Sequence, residues 1–317
     1  MSKKVIIHVG PHKTGTTSIQ KMLYDTSLSE DATFIYPFTD PEHLGHHDLA
    51  ETILRSDARK LAELSSKIRS TDKACVLSSE EFCYLPPSAL KTFGAYLQPA
   101  DVSIVYYVRD FLTSLHPWWQ EQVKHGGTQT FLEFALGCLA QPHSLHLLIP
   151  DVMLTNWASA FGRDSINIFR YDAIPDVARQ FADDVLDLAL PLDSFTAVNK
   201  SYTYIETEMV RFWNRSGVRG EDLIQSPNVG GLSADIVTEA RDFIKNFSLS
   251  YAMPSFAAIE EILLTRWRDR IGGSFGQYLF ETRERTYPYV HPDFWVVRSD
   301  LAERMRAFAS GWPPKSR

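Results

Sequence analysis

Apolar residues along this 317-residue chain fall into two rhythms. Short β-branched or aromatic runs occur near residues 4–9, 33–36, 74–78, 102–108 and 166–171, and runs of that length bounded by turn residues read as buried strands. Between them the apolar positions recur at helical spacing. Ile19, Met22 and Leu23 follow the first run, Leu49, Ile53, Leu61 and Leu64 predict a helix across 48–68, and 157–162 reads as a helix closing on Gly162. Strands that alternate with helices predict an α/β fold in three layers, with a mainly parallel five-stranded central sheet flanked by helices.

Beyond about residue 176 the pattern becomes mostly helical. Ile205, Met209, Phe212 and Trp213 mark one stripe, Ile259, Leu263 and Trp267 a second, and Leu301, Met305 and Phe308 a third. The chain is therefore expected to form a single domain over 1–317, with an α/β core over about 1–175 and a mostly helical remainder over about 176–317. Residues 216–234, rich in glycine, form the expected loop, with a role as a lid over a binding site.

Composition narrows the function classes. An apolar fraction of 44% argues against disorder, and a net charge of −7 makes nucleic acid and anionic membranes poor general partners. Cys75, Cys83 and Cys138 form neither a C-x-x-C pair nor an even set, which points to a reducing compartment and away from a disulfide or zinc framework. The apolar run after Lys4 is too short for a signal peptide core, and no stretch has the ~20 apolar residues of a membrane span. A cytoplasmic location is expected, with no metal requirement.

The chemistry is concentrated where the first strand ends. Val9-Gly10-Pro11-His12-Lys13-Thr14-Gly15-Thr16-Thr17 is a glycine-framed, hydroxyl-rich loop that runs into an amphipathic helix. Successive backbone N–H groups in such a loop converge on an anion, and the helix adds the positive end of its dipole. Gly10 and Gly15 have the glycine separation of the nucleotide P-loop, but Thr16 stands where that motif has its lysine, and Lys13 lies inside the loop. A nucleotide kinase needs the lysine on the β/γ-phosphates and a carboxylate on Mg²⁺. A cation at the crest of the loop suits a ligand that reacts at its 5′-phosphate.

Residues 11–17 resemble the loop P-x-K-T-G-T-T of the sulfotransferases that use 3′-phosphoadenosine-5′-phosphosulfate (PAPS), position by position. The resemblance implies a P-loop-like fold in which Pro11, His12, Lys13, Thr14, Gly15, Thr16 and Thr17 bind the phosphosulfate, with Lys13 also catalytic. It further implies an arginine at the end of a later strand for the 3′-phosphate, and Arg109 fits that position after 102–108. The family's partner serine on the next helix falls at Pro117 here. Ser114, one helical turn earlier, or His116 are the available replacements. Asn199-Lys200-Ser201 is similar to an element that precedes a helix in bacterial members, and equally to an ordinary helix cap.

Sulfuryl transfer to a hydroxyl needs a base. Carbohydrate-type members carry a glutamate at the end of the strand corresponding to 74–78, which implies Glu80, with Glu81 beside it. Ser78 and Ser79 precede them at cap spacing, so a helix start is the competing reading. His46 and His47, in the histidine-rich segment 41–49, are the rival bases and substrate-site candidates. Trp118 and Trp119 offer an aromatic platform for adenine or a sugar face, and Lys124 and His125 an acceptor entrance. The expectation is a PAPS-dependent sulfotransferase acting on a carbohydrate or glycolipid. A P-loop kinase or a non-catalytic nucleotide-binding protein stands as the alternative.

Overall fold

The structure is a computed structural model that describes residues 3–109, 111–189 and 202–220, with shorter stretches at 238–240, 242–243, 249–252, 265–266, 269–270, 286–289 and 299–310. The helical stripe at 259–267 lies almost wholly outside the described residues, as do Asn199-Lys200-Ser201 and most of the 216–234 loop.

The central sheet has five strands: β1 Lys4–His8, β2 Phe34–Ile35, β3 Ala74–Ser78, β4 Asp101–Val108 and β5 Ile166–Arg170. Their order is β2-β3-β1-β4-β5, and every pairing is parallel. The expected α/β fold is therefore present. Val5, Ile6 and Ile7 are almost wholly buried because β1 is central and covered on both faces. Helix α1, Thr16–Ser27, docks through Ile19, Met22 and Leu23, which are fully buried. Register places His8, the last residue of β1, between Ser78, the last of β3, and Val105 of β4, which runs on to Val108 at the same carboxyl edge.

The single helix expected across 48–68 is two: α2 His47–Leu54 and α3 Ala58–Arg69. Ser56 takes a left-handed backbone, φ 53°, which ends the first helix. The Asp57 carboxylate then accepts the N–H groups of Arg59 and Lys60 and starts the second. Each helix keeps its own buried residues, Ile53 in the first and Leu61, Leu64 and Ile68 in the second, so apolar spacing continues across the break. Helix α4, Pro87–Leu97, links β3 to β4.

By its contacts the chain divides into two compact units. The first spans 1–111, 142–199 and 262–281 and holds the sheet. It also contains α7, Pro150–Phe161, which stops at Gly162 as expected, and the short α8, Val177–Gln180.

The second unit spans 112–141, 200–261 and 282–317. It contains most of α5 (Phe111–Lys124), α6 (Phe131–Ala140), α9 (Tyr204–Arg215) and α10 (Ser299–Ser310). An antiparallel pair, Leu249–Ala252 with Thr286–Tyr289, adds strand to a region expected to be helical. Met209, Phe212 and Trp213 pack on Leu301 and Met305, as their stripes predicted. No helix among the described residues is long and apolar enough to cross a membrane.

Candidate active site

The loop after β1 is built by backbone conformations that its sequence makes possible. Gly10 and Gly15 have φ of 80° and 73°, and Lys13 joins them in the left-handed region at 65°. A non-glycine residue held there marks a segment whose surroundings fix its shape. Thr14 is fully buried, and its hydroxyl donates to Pro11 O at 2.6 Å, closing the loop on itself. The threonine side chain is thus spent on loop shape, and what it can offer a ligand is its backbone N–H.

Helix α1 begins on Gly15 with no side-chain cap. Among the described residues, no protein acceptor takes the backbone N–H of Thr14, Gly15, Thr16 or Thr17. Undonated amides at a helix start, with Lys13 beside them, form an anion cradle. Gly15 is also held by packing, since a Cβ there would lie 2.3 Å from Val177 Cγ1. Gly15→Ala is therefore expected to lose about 1–3 kcal/mol of stability, from both the clash and the positive φ. Gly126→Ala is the control, having φ 97° with open space around it, and should lose only the backbone part. Denaturant midpoints of the two variants test this, and equal losses would refute the packing argument.

Glu80 lies against this loop. A Cβ on Gly10 would come within 3.0 Å of Glu80 Cα, so glycine is what lets the turn after β3 approach so closely. Gln20 of α1 donates to Glu80 Oε2 at 2.9 Å, and His12 Nδ1 lies 3.9 Å from Glu80 Oε1. His12 Nε2 is 3.6 Å from Glu81 Oε1. Of the two carboxylates, Glu80 is the sheltered one, with side-chain exposure of 15% against 45% for Glu81. The cap reading also holds, because Ser79 Oγ accepts the Glu81 N–H at 3.1 Å. That cap aims Glu80 at the loop.

The two histidine candidates separate. His46 is buried; its Nδ1 accepts the Ser78 N–H at 3.1 Å, and its Nε2 is 2.6 Å from Pro37 O. Both nitrogens are committed to backbone, and burial pushes its pKa down to about 4. It is a latch on the segment between β2 and α2. His47 is exposed and its Nδ1 lies 3.2 Å from Ser79 Oγ. The space that a Cβ of Gly45 would fill is bounded by His47 Nε2 and Gln20 Nε2, which brings His47 to the Gln20–Glu80 pair.

Arg109, at the end of β4, donates from Nη1 to the Lys13 carbonyl. Its Nε is 3.7 Å from Asp172 Oδ1, and its guanidinium lies 4.8 Å from the centre of the Tyr171 ring. The strand-end arginine thus reaches the loop crest, with Asp172 as its carboxylate partner. Ser114, the proposed serine replacement, is buried on α5 in the second unit. His116 of the same helix packs against Trp119, Phe131 and Tyr204, and burial pushes its pKa down to about 4. Trp119 is likewise core, while Lys124 pairs with Glu121 at 3.4 Å.

Sequence reasoning missed Gln20, Tyr171 and Asp172, and read Ser79 only as a cap. Gln20 had a signal, because it sits four residues after Thr16 on the buried face of α1, where a polar side chain needs a partner. Tyr171 and Asp172 follow β5 at the same carboxyl edge as Arg109, where sheet order alone brings them together.

Beneath the loop, His8 Nδ1 is 2.8 Å from Ser78 Oγ, and burial lowers its pKa to about 3. His8 and His46 stay neutral in the folded chain well below their ordinary 6.5, while the unfolded chain protonates them there. Stability should therefore fall as pH drops from 6.5 toward 4, each histidine contributing about 1.4 kcal/mol per pH unit. Calorimetric melting from pH 7.5 to 4.5 tests this. A flat melting temperature below pH 6.5 would refute it.

No family model matches the chain, and no curated protein matches it. Among solved structures it is similar to a sulfotransferase from Alicyclobacillus acidocaldarius, at 12% identity and a TM-score of 0.41, over 71% of this chain and 96% of that one.

Proposed function

We propose that the chain transfers a sulfuryl group from PAPS to a hydroxyl of a small-molecule or carbohydrate acceptor. The observation that carries this reading is the meeting of an uncapped amide cradle and a sheltered carboxylate at one glycine: Glu80 touches the loop at Gly10, and Lys13 stands at the loop's crest. A phosphate cradle alone would serve any nucleotide. A base placed against it serves group transfer to a protonated nucleophile.

The residues present suit such a donor. The amides of Thr14–Thr17, with the start of α1, would hold the 5′-phosphosulfate, and Lys13 would oppose the charge that develops on the 5′-phosphate oxygen. Arg109 would take the 3′-phosphate, its guanidinium oriented by Lys13 O, Asp172 and Tyr171. When bound, the donor supplies an activated sulfuryl group. Glu80, oriented by Gln20, would accept the acceptor's hydroxyl proton, with His12 and His47 as charged or polar neighbours. The free buried thiols of Cys75, Cys83 and Cys138 suit a reducing, cytoplasmic setting.

Calorimetric titration with adenosine 3′,5′-bisphosphate in the absence of Mg²⁺, against 5′-AMP and ATP, tests the reading. Selective binding of the bisphosphate is expected. Preference for ATP that depends on Mg²⁺ would replace it with the kinase reading, and bisphosphate binding without turnover on any acceptor would favour a nucleotide-binding protein.

A further inference from the structure

Beside His47 the first unit holds a cavity of about 330 Å³. Its walls come from the connection between β2 and α2, from α2 and from α3. That volume is at the lower end of ligand pockets, enough for a small molecule and not for a polymer segment. His47 lines the cavity and stands beside Gln20, which bonds Glu80, so the mouth of the cavity faces the cluster that holds the proposed base.

The lining carries more carboxylates than lysines, although one of the carboxylates, Asp40, is already paired with His43 at 3.4 Å. Asp40, Asp48 and Glu63 face the cavity and Lys60 is the one lysine or arginine among its lining residues. Asp48 and Glu63 make no ion pair among the described residues. Backbone N–H groups of Glu42 and His43 bond to Asp40 at 2.8 and 2.7 Å and hold its carboxyl below the usual range. The exposed Phe38 ring, also in the lining, already has the Lys67 ammonium 4.6 Å from its centre. Carboxylates next to an aromatic face suit a cation and repel an anion.

We infer that this cavity is the acceptor subsite and that it selects a small hydroxyl compound bearing an ammonium group, an amino alcohol or a single amino sugar. The inference rests on the sulfuryl-transfer reading. The ammonium is held by Asp48 and Glu63, which leaves the hydroxyl for reaction. Its oxygen forms the new O–S bond, its proton passes to Glu80, and the electron pair of the broken S–O bond leaves on the 5′-phosphate. Uronic acids and acceptors already sulfated are excluded by the same carboxylates.

Binding measured by ligand-observed NMR at pH 6.5, on the complex with adenosine 3′,5′-bisphosphate, tests this with glucosamine, glucose and glucuronate. Glucosamine should bind at least about tenfold more tightly than glucose, and glucuronate least. The exposed double substitution Asp48→Asn with Glu63→Gln should bring glucosamine to within about twofold of glucose while leaving the bisphosphate affinity unchanged. Equal binding of glucosamine and glucose, or absence of glucosamine binding, with the bisphosphate still bound, overturns this inference and spares the sulfuryl-transfer reading. Failure of the bisphosphate itself to bind removes both.

Discussion

Replacing Lys13 with alanine is expected to lower turnover by about 10²–10³-fold while weakening adenosine 3′,5′-bisphosphate binding only several-fold. The reasoning begins with the backbone. Lys13 sits at φ 65°, and alanine in that region meets the same Cβ strain as lysine, so the loop keeps its shape and the loss reports the ammonium alone. On the proposed reading, several amides and Arg109 already hold the phosphates in the ground state. In the transition state new charge gathers on the 5′-phosphate, where a single point charge matters most. Lys13→Arg should recover little, because a planar fork cannot occupy the position of a compact ammonium on so tight a loop. Steady-state kinetics with calorimetry of the bisphosphate would separate the two quantities. Unchanged turnover would remove Lys13 from the chemistry, and a parallel fall in affinity would make it a binding residue only.

Glu80→Gln is expected to cost about 10²–10⁴ in turnover with little change in stability or donor binding. Glutamine fills the same volume and can still accept the Gln20 N–H through its amide oxygen, so only the ability to hold a proton is lost. The pH profile gives the sharper readout: the acid limb of kcat/KM should disappear with the carboxylate. His47→Gln is the companion measurement. A loss below tenfold for Glu80→Gln, with a loss above a hundredfold for His47→Gln, would transfer the role of base to the histidine that stands beside Gln20.

The sheet was legible because its strands are short β-branched runs that end in turn residues, and burial on both faces leaves such runs no polar alternation to confuse them with. The loop was legible for a related reason: glycines at 10 and 15 are demanded by a left-handed backbone and by the close approach of Glu80 and Val177. What stayed hidden depended on the third dimension. Nothing in the segment 41–49 distinguishes His46 from its neighbour until Ser78 and Pro37 arrive from elsewhere to bind it. Nothing near Arg109 in the sequence points to Asp172, which is brought to it across 63 residues because β5 pairs with β4. The split between α2 and α3 is set by Ser56 and Asp57, whose local chemistry overrides a continuous apolar stripe.

The strand order has a consequence for how such a protein can diversify. β1 carries the cradle and occupies the middle of the sheet; β4, on one side, brings Arg109, and β3, on the other, brings Glu80. The cavity beside His47 is drawn wholly from the crossover between β2 and β3, at the sheet's margin. On the proposed reading, donor recognition and acceptor recognition fall in separate stretches of chain that meet at the base. Grafting a different β2–β3 crossover onto the same scaffold would, on that reading, rewrite what is modified without touching how the modifying group is held.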